Sequence, residues 1–141
     1  MAMQGIWERE SRYCRARNAR LVDVPTEGES ERVPILEVTG RRAWFRCRAS
    51  IYTLRAGDEV VYIGVTIGPV GFRLRAACSA QEHWTRDANW QTFTVTVRHS
   101  PDQWENEDLN EERRLIAAHD PRYNITGRPK KPRVPLPARQ F

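Results

Sequence analysis

Glu112 is the side chain of this sequence with the clearest chemical potential. In the predicted C-terminal helix, the apolar residues Leu109, Leu115 and Ile116 form one stripe, because positions three and four apart share a helix face. Glu112 falls inside that stripe, where a carboxylate loses hydration free energy unless it is paired or binds a cation. Glu112 is therefore a candidate metal ligand. The alternative is that it reaches water at the edge of the stripe or pairs with an arginine such as Arg113.

Two tyrosines form a second candidate group. The runs Ile51–Leu54 and Val60–Thr66 are typical of strands, and the Gly-Asp turn signal between them predicts a β-hairpin. In the simplest register, Tyr52 and Tyr62 lie on the same face, and Gly64 leaves space beside them. Such an arrangement could form the wall of a pocket, although strand tyrosines often serve amphipathic packing alone.

Five short segments of the chain stand in a distinctive order. They are Ser50-Ile51-Tyr52, Tyr62-Ile63-Gly64, Arg73, Glu112 with Leu115-Ile116 three residues later, and Pro121-Arg122-Tyr123-Asn124. This order and spacing resemble the GIY-YIG nuclease superfamily over roughly residues 50–125. The resemblance implies an endonuclease, a phosphodiester hydrolase that uses one divalent metal ion, with DNA as its partner and RNA as a further option.

The resemblance also implies a role for each matched residue. Glu112 would hold a single Mg²⁺ or Mn²⁺ ion, since both ions bind oxygen ligands. Tyr52 or Tyr62 would position or deprotonate the attacking water. Arg73 would bind the phosphate and offset the charge that develops on it. Asn124 completes the predicted catalytic set and would orient a neighbouring group.

The sequence departs from the pattern of this superfamily at two positions. Ser50 stands where the first triplet has glycine, so a small residue is kept. Four residues after Arg73, where the superfamily usually has histidine or tyrosine, the sequence has Ala77. The catalytic arginine could also be Arg75, although spacing favours Arg73. His83 lies close enough in sequence to supply the missing group if the helix ends before it.

The net charge of +5 is concentrated at the two ends of the chain. Residues 1–49 carry ten arginines and seven acidic residues, whereas residues 50–127 carry eight arginines and eleven acidic residues. Residues 128–141 carry five basic residues and no acidic one. Basic ends suit a nucleic-acid polyanion, because phosphate contacts release counterions, although a solvated tail has the same composition. The predicted nucleic-acid-binding residues are Arg75, Arg128, Lys130, Lys131 and Arg133.

The pattern of elements predicts an α/β fold of the α+β type. A small antiparallel sheet has a three-stranded core, which N-terminal strands could extend, and helices flank it. Besides the hairpin, the predicted strands are Val33–Val38, Ala43–Cys47 and Phe93–Val97, and the predicted helices are 5–20, Phe72–Ala80 and 101–119. The predicted organisation is an N-terminal extension at 1–49, the nuclease-like core at 50–127 and a basic, proline-rich tail at 128–141.

Composition argues against several classes of protein. No run approaches the about 18 apolar residues of a membrane span, and residues 1–20 lack the apolar stretch of a signal peptide. Cys14, Cys47 and Cys78 show no C-x-x-C pairing, which favours reduced thiols in a cytoplasmic protein. A monomer and a homodimer both fit. The alternatives to an enzyme are a catalytically inactive nucleic-acid-binding module of the same fold and an unrelated α+β interaction protein.

Overall fold

The computed structural model describes residues 19–47, 49–99 and 109–124. In chain order, its strands are β1 (Arg20–Val22), β2 (Val33–Pro34), β3 (Ala43–Phe45), β4 (Ser50–Ala56), β5 (Glu59–Thr66) and β6 (Thr94–His99). Four of them form an antiparallel sheet with the order β2-β6-β4-β5, while β1 and β3 form a separate parallel pair. The α+β class is confirmed, and β2 extends the three-stranded core as an N-terminal strand.

The strands β4 and β5 form the predicted hairpin, whose register brings both tyrosines to one face. Tyr52 pairs with Gly64, and Leu54 pairs with Tyr62. Because alternate residues of a strand face opposite sides of a sheet, the two tyrosines and Gly64 lie on the same side. The connection is tight, and Gly57 adopts a φ of +60° within it, a conformation that favours glycine.

Helices pack against both faces of the sheet. They are α1 (Ile35–Thr39), α2 (Val70–Ala80) and α3 (Leu109–His119), together with two short 3-10 helices at His83–Arg86 and Trp90–Thr92. Leu74 of α2 belongs to the core cluster that contains Tyr52, whereas Ile116 of α3 lies in a second cluster with Ile51 and Ile63. Because Ile51 and Tyr52 face opposite sides of β4, the two helices cover opposite faces. The C-terminal helix is confirmed over its described part.

The strand predicted at Val33–Val38 is wrong beyond its first two residues. Only Val33 and Pro34 pair with β6, and the chain then turns into the short helix α1. Ile35 and Val38 are both fully buried, and their separation of three residues places them on one helix face. Proline directly before a helix costs little, since the first backbone N–H groups of a helix have no helical partner. A short apolar run does not distinguish the two outcomes by periodicity alone.

Further boundaries of helices and strands differ from the prediction. The segment predicted as a strand at Ala43–Cys47 is β3, Ala43–Phe45, and it pairs with β1 in parallel. The N-terminal helix predicted at 5–20 does not extend to its predicted end, because Arg20 begins β1. Residues 5–18 of that predicted helix lie outside the described residues. Helix α2 begins at Val70 rather than Phe72, because Pro69 occupies the position before its first turn.

Several predicted features lie outside the described residues. They include Arg128, Lys130, Lys131 and Arg133 of the basic tail, and the first part of the helix predicted at 101–119. Across the residues that the structure does describe, no helix combines the length and the apolar character needed to cross a bilayer.

Candidate active site

The two tyrosines of the hairpin pack against each other above a glycine. The ring centroids of Tyr52 and Tyr62 lie 6.1 Å apart, and the rings are tilted by 38°. A Cβ atom at Gly64 would come within 2.4 Å of both Cζ and Oη of Tyr52. No ordinary Cβ approaches another atom so closely, so the Tyr52 ring can lie on the strand only because residue 64 is glycine. Tyr52 is 1% exposed, whereas Tyr62 is half-buried.

The environment keeps both phenols protonated at neutral pH. Burial raises the pKa of Tyr52 well above 10, and the neighbouring Tyr62 phenol raises it further. Burial also raises the pKa of Tyr62, and the negative charges of Glu82 and Glu112 contribute to that rise. The Arg73 guanidinium opposes the shift in both cases. Tyr62, the more exposed of the two, therefore keeps a neutral hydroxyl that feels the charges of one cation and two carboxylates.

Arg73 of α2 is held in a two-pronged ion pair with Glu82. The guanidinium Nη1 lies 2.7 Å from Oε2 of Glu82, and Nη2 lies 2.9 Å from Oε1. The hydrogen bond to Glu82 raises the pKa of Arg73, and interactions with Tyr52 and Tyr62 add to this effect against the opposing influence of burial. A guanidinium has five N–H donors, of which the two contacts to Glu82 use two, so donors remain for an anion.

Glu82 reaches this position through the turn that ends α2. Gln81 adopts a left-handed conformation with a φ of +54°, which reverses the chain after the helix. The backbone N–H of Glu82 then donates to the carbonyl oxygen of Ala77 over 3.1 Å. Sequence reasoning missed Glu82, because neither its spacing from Arg73 nor its neighbours signal an ion pair across a helix end.

Glu112 lies on α3 and is partly buried, in agreement with its position inside the apolar stripe of this helix. Burial raises the pKa of its carboxyl group, and the charge of Arg113 opposes this only in part. Among the described residues, no hydrogen bond or salt bridge reaches the Glu112 side chain. By contrast, the adjacent Glu111 accepts from Arg98 at 3.1 Å and also pairs with Arg114. The charge of Glu112 helps to raise the pKa of Tyr62, although α3 covers the face of the sheet opposite the one that carries the tyrosines.

A divalent cation fits the properties of Glu112. The carboxylate supplies hard oxygen atoms, and a cation would offset the charge that burial disfavours. Within the described ranges, no group of three or more His, Cys, Asp or Glu side chains could enclose a metal ion. If a Mg²⁺ ion bound at Glu112, oxygen atoms of water and phosphate would have to complete its coordination, which is common for this ion.

Asn124 holds the strand that carries Tyr62. Its buried side chain accepts a hydrogen bond from the backbone N–H of Ile63 at 2.9 Å and donates one to the carbonyl of the same residue at 2.8 Å. The backbone N–H of Tyr123 donates to the carbonyl of Val61 at 3.0 Å. These contacts bind the residues on both sides of Tyr62. Asn124 thus orients the backbone of Ile63, and its predicted place in a catalytic set stays a prediction.

Arg75 lies away from this group. Its guanidinium carbon is 4.9 Å from the ring centroids of both Trp44 and Phe72, and Nη1 donates to the carbonyl of Val38 at 3.2 Å. Of the two arginines that the sequence left open, Arg73 is the one beside the tyrosines. His83 begins the 3-10 helix directly after Glu82.

The tyrosine site below means the cluster of Tyr52, Tyr62, Arg73 and Glu82, the supporting residues Gly64 and Asn124, and Glu112 of α3, whose charge acts on Tyr62. Comparisons with protein-family models, with curated proteins and with solved structures give no match to this chain.

Proposed function

We propose that this protein is a metal-dependent endonuclease of the GIY-YIG type that hydrolyses phosphodiester bonds in DNA. The observation that carries the proposal is the convergence of residues far apart in sequence. Tyr52, Tyr62 and Arg73 come together on one side of the sheet, and Glu112 of α3, the helix on the other side, acts on Tyr62 through its charge. An unrelated interaction protein with these residues by coincidence would have no reason to bring Arg73 of α2 next to the two phenols of the hairpin.

Each residue of the tyrosine site has a distinct task in this proposal. Mg²⁺ or Mn²⁺ held by Glu112 would stabilise negative charge on the phosphate and on the leaving 3′ oxygen. Arg73 binds the phosphate through the N–H groups that Glu82 does not engage. Tyr62 contacts the attacking water through its hydroxyl, since it is the more exposed of the two tyrosines. Tyr52 is buried beneath it and supports the position of its ring.

The raised pKa of Tyr62 limits what its hydroxyl does alone. A phenol whose pKa lies above 10 is almost entirely protonated at neutral pH, so it orients water as a hydrogen-bond partner. It removes a proton efficiently only if a neighbouring positive charge stabilises the phenolate. Arg73 is such a charge, since it lowers the pKa of Tyr62 against the effect of burial.

The test is cleavage of labelled single-stranded and duplex DNA with Mg²⁺, Mn²⁺ or EDTA. We expect metal-dependent cleavage by the wild type and a loss of at least about 100-fold in Glu112→Ala, since metal stabilisation of the transition state is worth several kcal/mol. Glu111→Ala is the matched control, because it removes the adjacent glutamate, whose partners are Arg98 and Arg114. Equal metal-dependent cleavage by wild type and Glu112→Ala would refute the assignment.

One observation favours a second candidate, an inactive nucleic-acid-binding module of the same fold. Ala77, which stands where the superfamily usually has histidine or tyrosine, is fully buried on the core side of α2 and brings no polar group to the site. This candidate predicts salt-sensitive DNA binding that is equal in wild type and Glu112→Ala, with no cleavage in any metal.

A further inference from the structure

We propose that Glu82 is a positioning residue of the tyrosine site, which fixes the guanidinium of Arg73 beside the two phenols. The inference rests on the proposed nuclease function and assigns to it a residue that the sequence pattern does not contain. Its basis is the geometry of one ion pair and of the turn that presents it.

The Arg73–Glu82 pair has the geometry of a rigid clamp. Each carboxylate oxygen accepts from a different terminal guanidinium nitrogen, Oε2 from Nη1 at 2.7 Å and Oε1 from Nη2 at 2.9 Å. Such a parallel pair fixes the plane of the guanidinium as well as its position. The side chains are 34% and 30% exposed, so water competes with the pair less than it does at an open surface.

The clamp is anchored at both ends to helix α2. Arg73 lies in its first half, and Glu82 follows directly after the left-handed Gln81. The hydrogen bond from the Glu82 backbone to the Ala77 carbonyl fixes the base of the glutamate side chain. Because neither end depends on a flexible loop, the guanidinium is held in one place before any phosphate arrives, which lowers the ordering cost at the moment of reaction.

Glu82 also acts on the phenols through its charge. It contributes to the raised pKa of both Tyr52 and Tyr62, and so lies close to the pair that Arg73 serves. Glu82 therefore places a positive charge beside the phenols and partly neutralises it. Two contacts to Glu82 leave further N–H donors of Arg73 for a phosphate oxygen.

A second Arg–Glu pair provides a matched control. Arg122 donates to both carboxylate oxygens of Glu59 at 2.9 and 2.8 Å, but this pair lies at the start of β5 with side chains 48% and 52% exposed. Glu59→Ala thus removes a similar ion pair without touching the tyrosine site. Glu82→Gln keeps the shape of the side chain and one oxygen acceptor, whereas Glu82→Ala removes both.

The first measurement is cleavage by wild type, Glu82→Ala, Glu82→Gln, Glu59→Ala and Glu112→Ala. We expect kcat to fall by about 10- to 100-fold in Glu82→Ala, since small displacements of a positioned group have effects of this size. Glu82→Gln should recover part of the loss, and Glu59→Ala should cleave like the wild type.

The second measurement needs no substrate: the Tyr62 phenol is titrated by NMR of protein carrying ¹³C-labelled tyrosine, with Tyr62→Phe used for assignment.

In that titration, Glu82→Gln should lower the pKa of Tyr62, because a negative charge is removed and the charge of Arg73 is no longer neutralised. Glu59→Ala should leave it unchanged. A normal kcat in Glu82→Ala, or an unchanged Tyr62 titration in Glu82→Gln, would overturn the role of Glu82 even where Glu112→Ala is inactive. An inactive wild type would instead overturn the nuclease function and this inference with it.

Discussion

The two sides of helix α2 use the same residue type in opposite ways. Arg73 and Arg75 are two positions apart, so their side chains leave the helix about 200° apart. Arg73 meets a carboxylate and two phenols, whereas Arg75 is stacked against Trp44 and Phe72. One arginine keeps donors that its carboxylate partner does not use, and the other joins aromatic rings from β3 and from its own helix.

This contrast separates a group that is available for chemistry from one that stabilises the fold. A guanidinium between aromatic rings gains packing and cation–π attraction, and its contact with the Val38 carbonyl links α2 to α1. A guanidinium held by one carboxylate keeps its charge and several donors close to solvent. The surroundings of an arginine, and not its place in a motif, therefore indicate which of the two roles it has.

The strongest test of the contrast is to remove each arginine in turn. We expect Arg73→Ala to lower the single-turnover rate of DNA cleavage by about 100- to 1,000-fold, the usual effect of losing one donor to transition-state charge. Arg75→Ala should lower the free energy of unfolding by about 1–2 kcal/mol, because it loses the aromatic contacts and the bond to Val38.

The chief effect of Arg75→Ala should fall on stability, with cleavage per folded molecule close to that of the wild type. Urea unfolding supplies the stability and the folded fraction. The opposite pattern, in which Arg75→Ala is inactive while fully folded, would make Arg75 a direct contact to nucleic acid and reverse the comparison.

The hairpin and its tyrosines could be predicted because their signals are local. Alternation with a period of two, together with a Gly-Asp turn, determines which strand residues share a face. The stripe of α3 likewise identified Glu112 as a half-buried carboxylate, because helical spacing alone defines the stripe. In both cases the residues that matter are neighbours in a regular element.

Other features depend on contacts that no local pattern contains. Glu82 reaches Arg73 only because Gln81 reverses the chain, and Arg75 finds Trp44 only because β3 lies beside α2. The strand predicted at Val33–Val38 failed for a related reason, since the burial of Ile35 and Val38 on one helix face is decided by the core around them. Tertiary packing overrides a short apolar run.

The strand β5 should not tolerate a side chain larger than that of glycine at position 64, where the Tyr52 ring lies. Gly64→Ala places a methyl group within 2.4 Å of the Tyr52 ring, so either the ring or the strand must move. We expect the free energy of unfolding to fall by about 1–3 kcal/mol, as for other overpacked cores. Chemical denaturation and near-ultraviolet circular dichroism of the tyrosines measure the two effects.

Gly68→Ala is the control for Gly64→Ala, because a Cβ at Gly68 meets no atom within 4 Å. It should leave both the stability and the tyrosine signal nearly unchanged. Equal stability of the two variants would mean that the Tyr52 ring moves away without a cost in free energy. That result would contradict the proposal that Tyr52 rigidly supports the ring of Tyr62.

The smallest expected effect concerns the cost of charge in the tyrosine site. Because burial raises the pKa of Glu112, its ionised form is less favourable in the folded protein than in the unfolded chain. Below the ordinary carboxyl pKa both states are protonated and the difference vanishes. As the pH rises above that value, the unfolded chain releases its proton first and the folded state is destabilised.

Glu112→Gln should therefore be as stable as the wild type at pH 3 and slightly more stable at pH 7, measured by urea unfolding without divalent metal. Arg75→Ala should instead be destabilised at both values. A Glu112→Gln variant that loses stability at pH 7 would show that the carboxylate has a stabilising partner, and the carboxylate would then no longer be available to a cation.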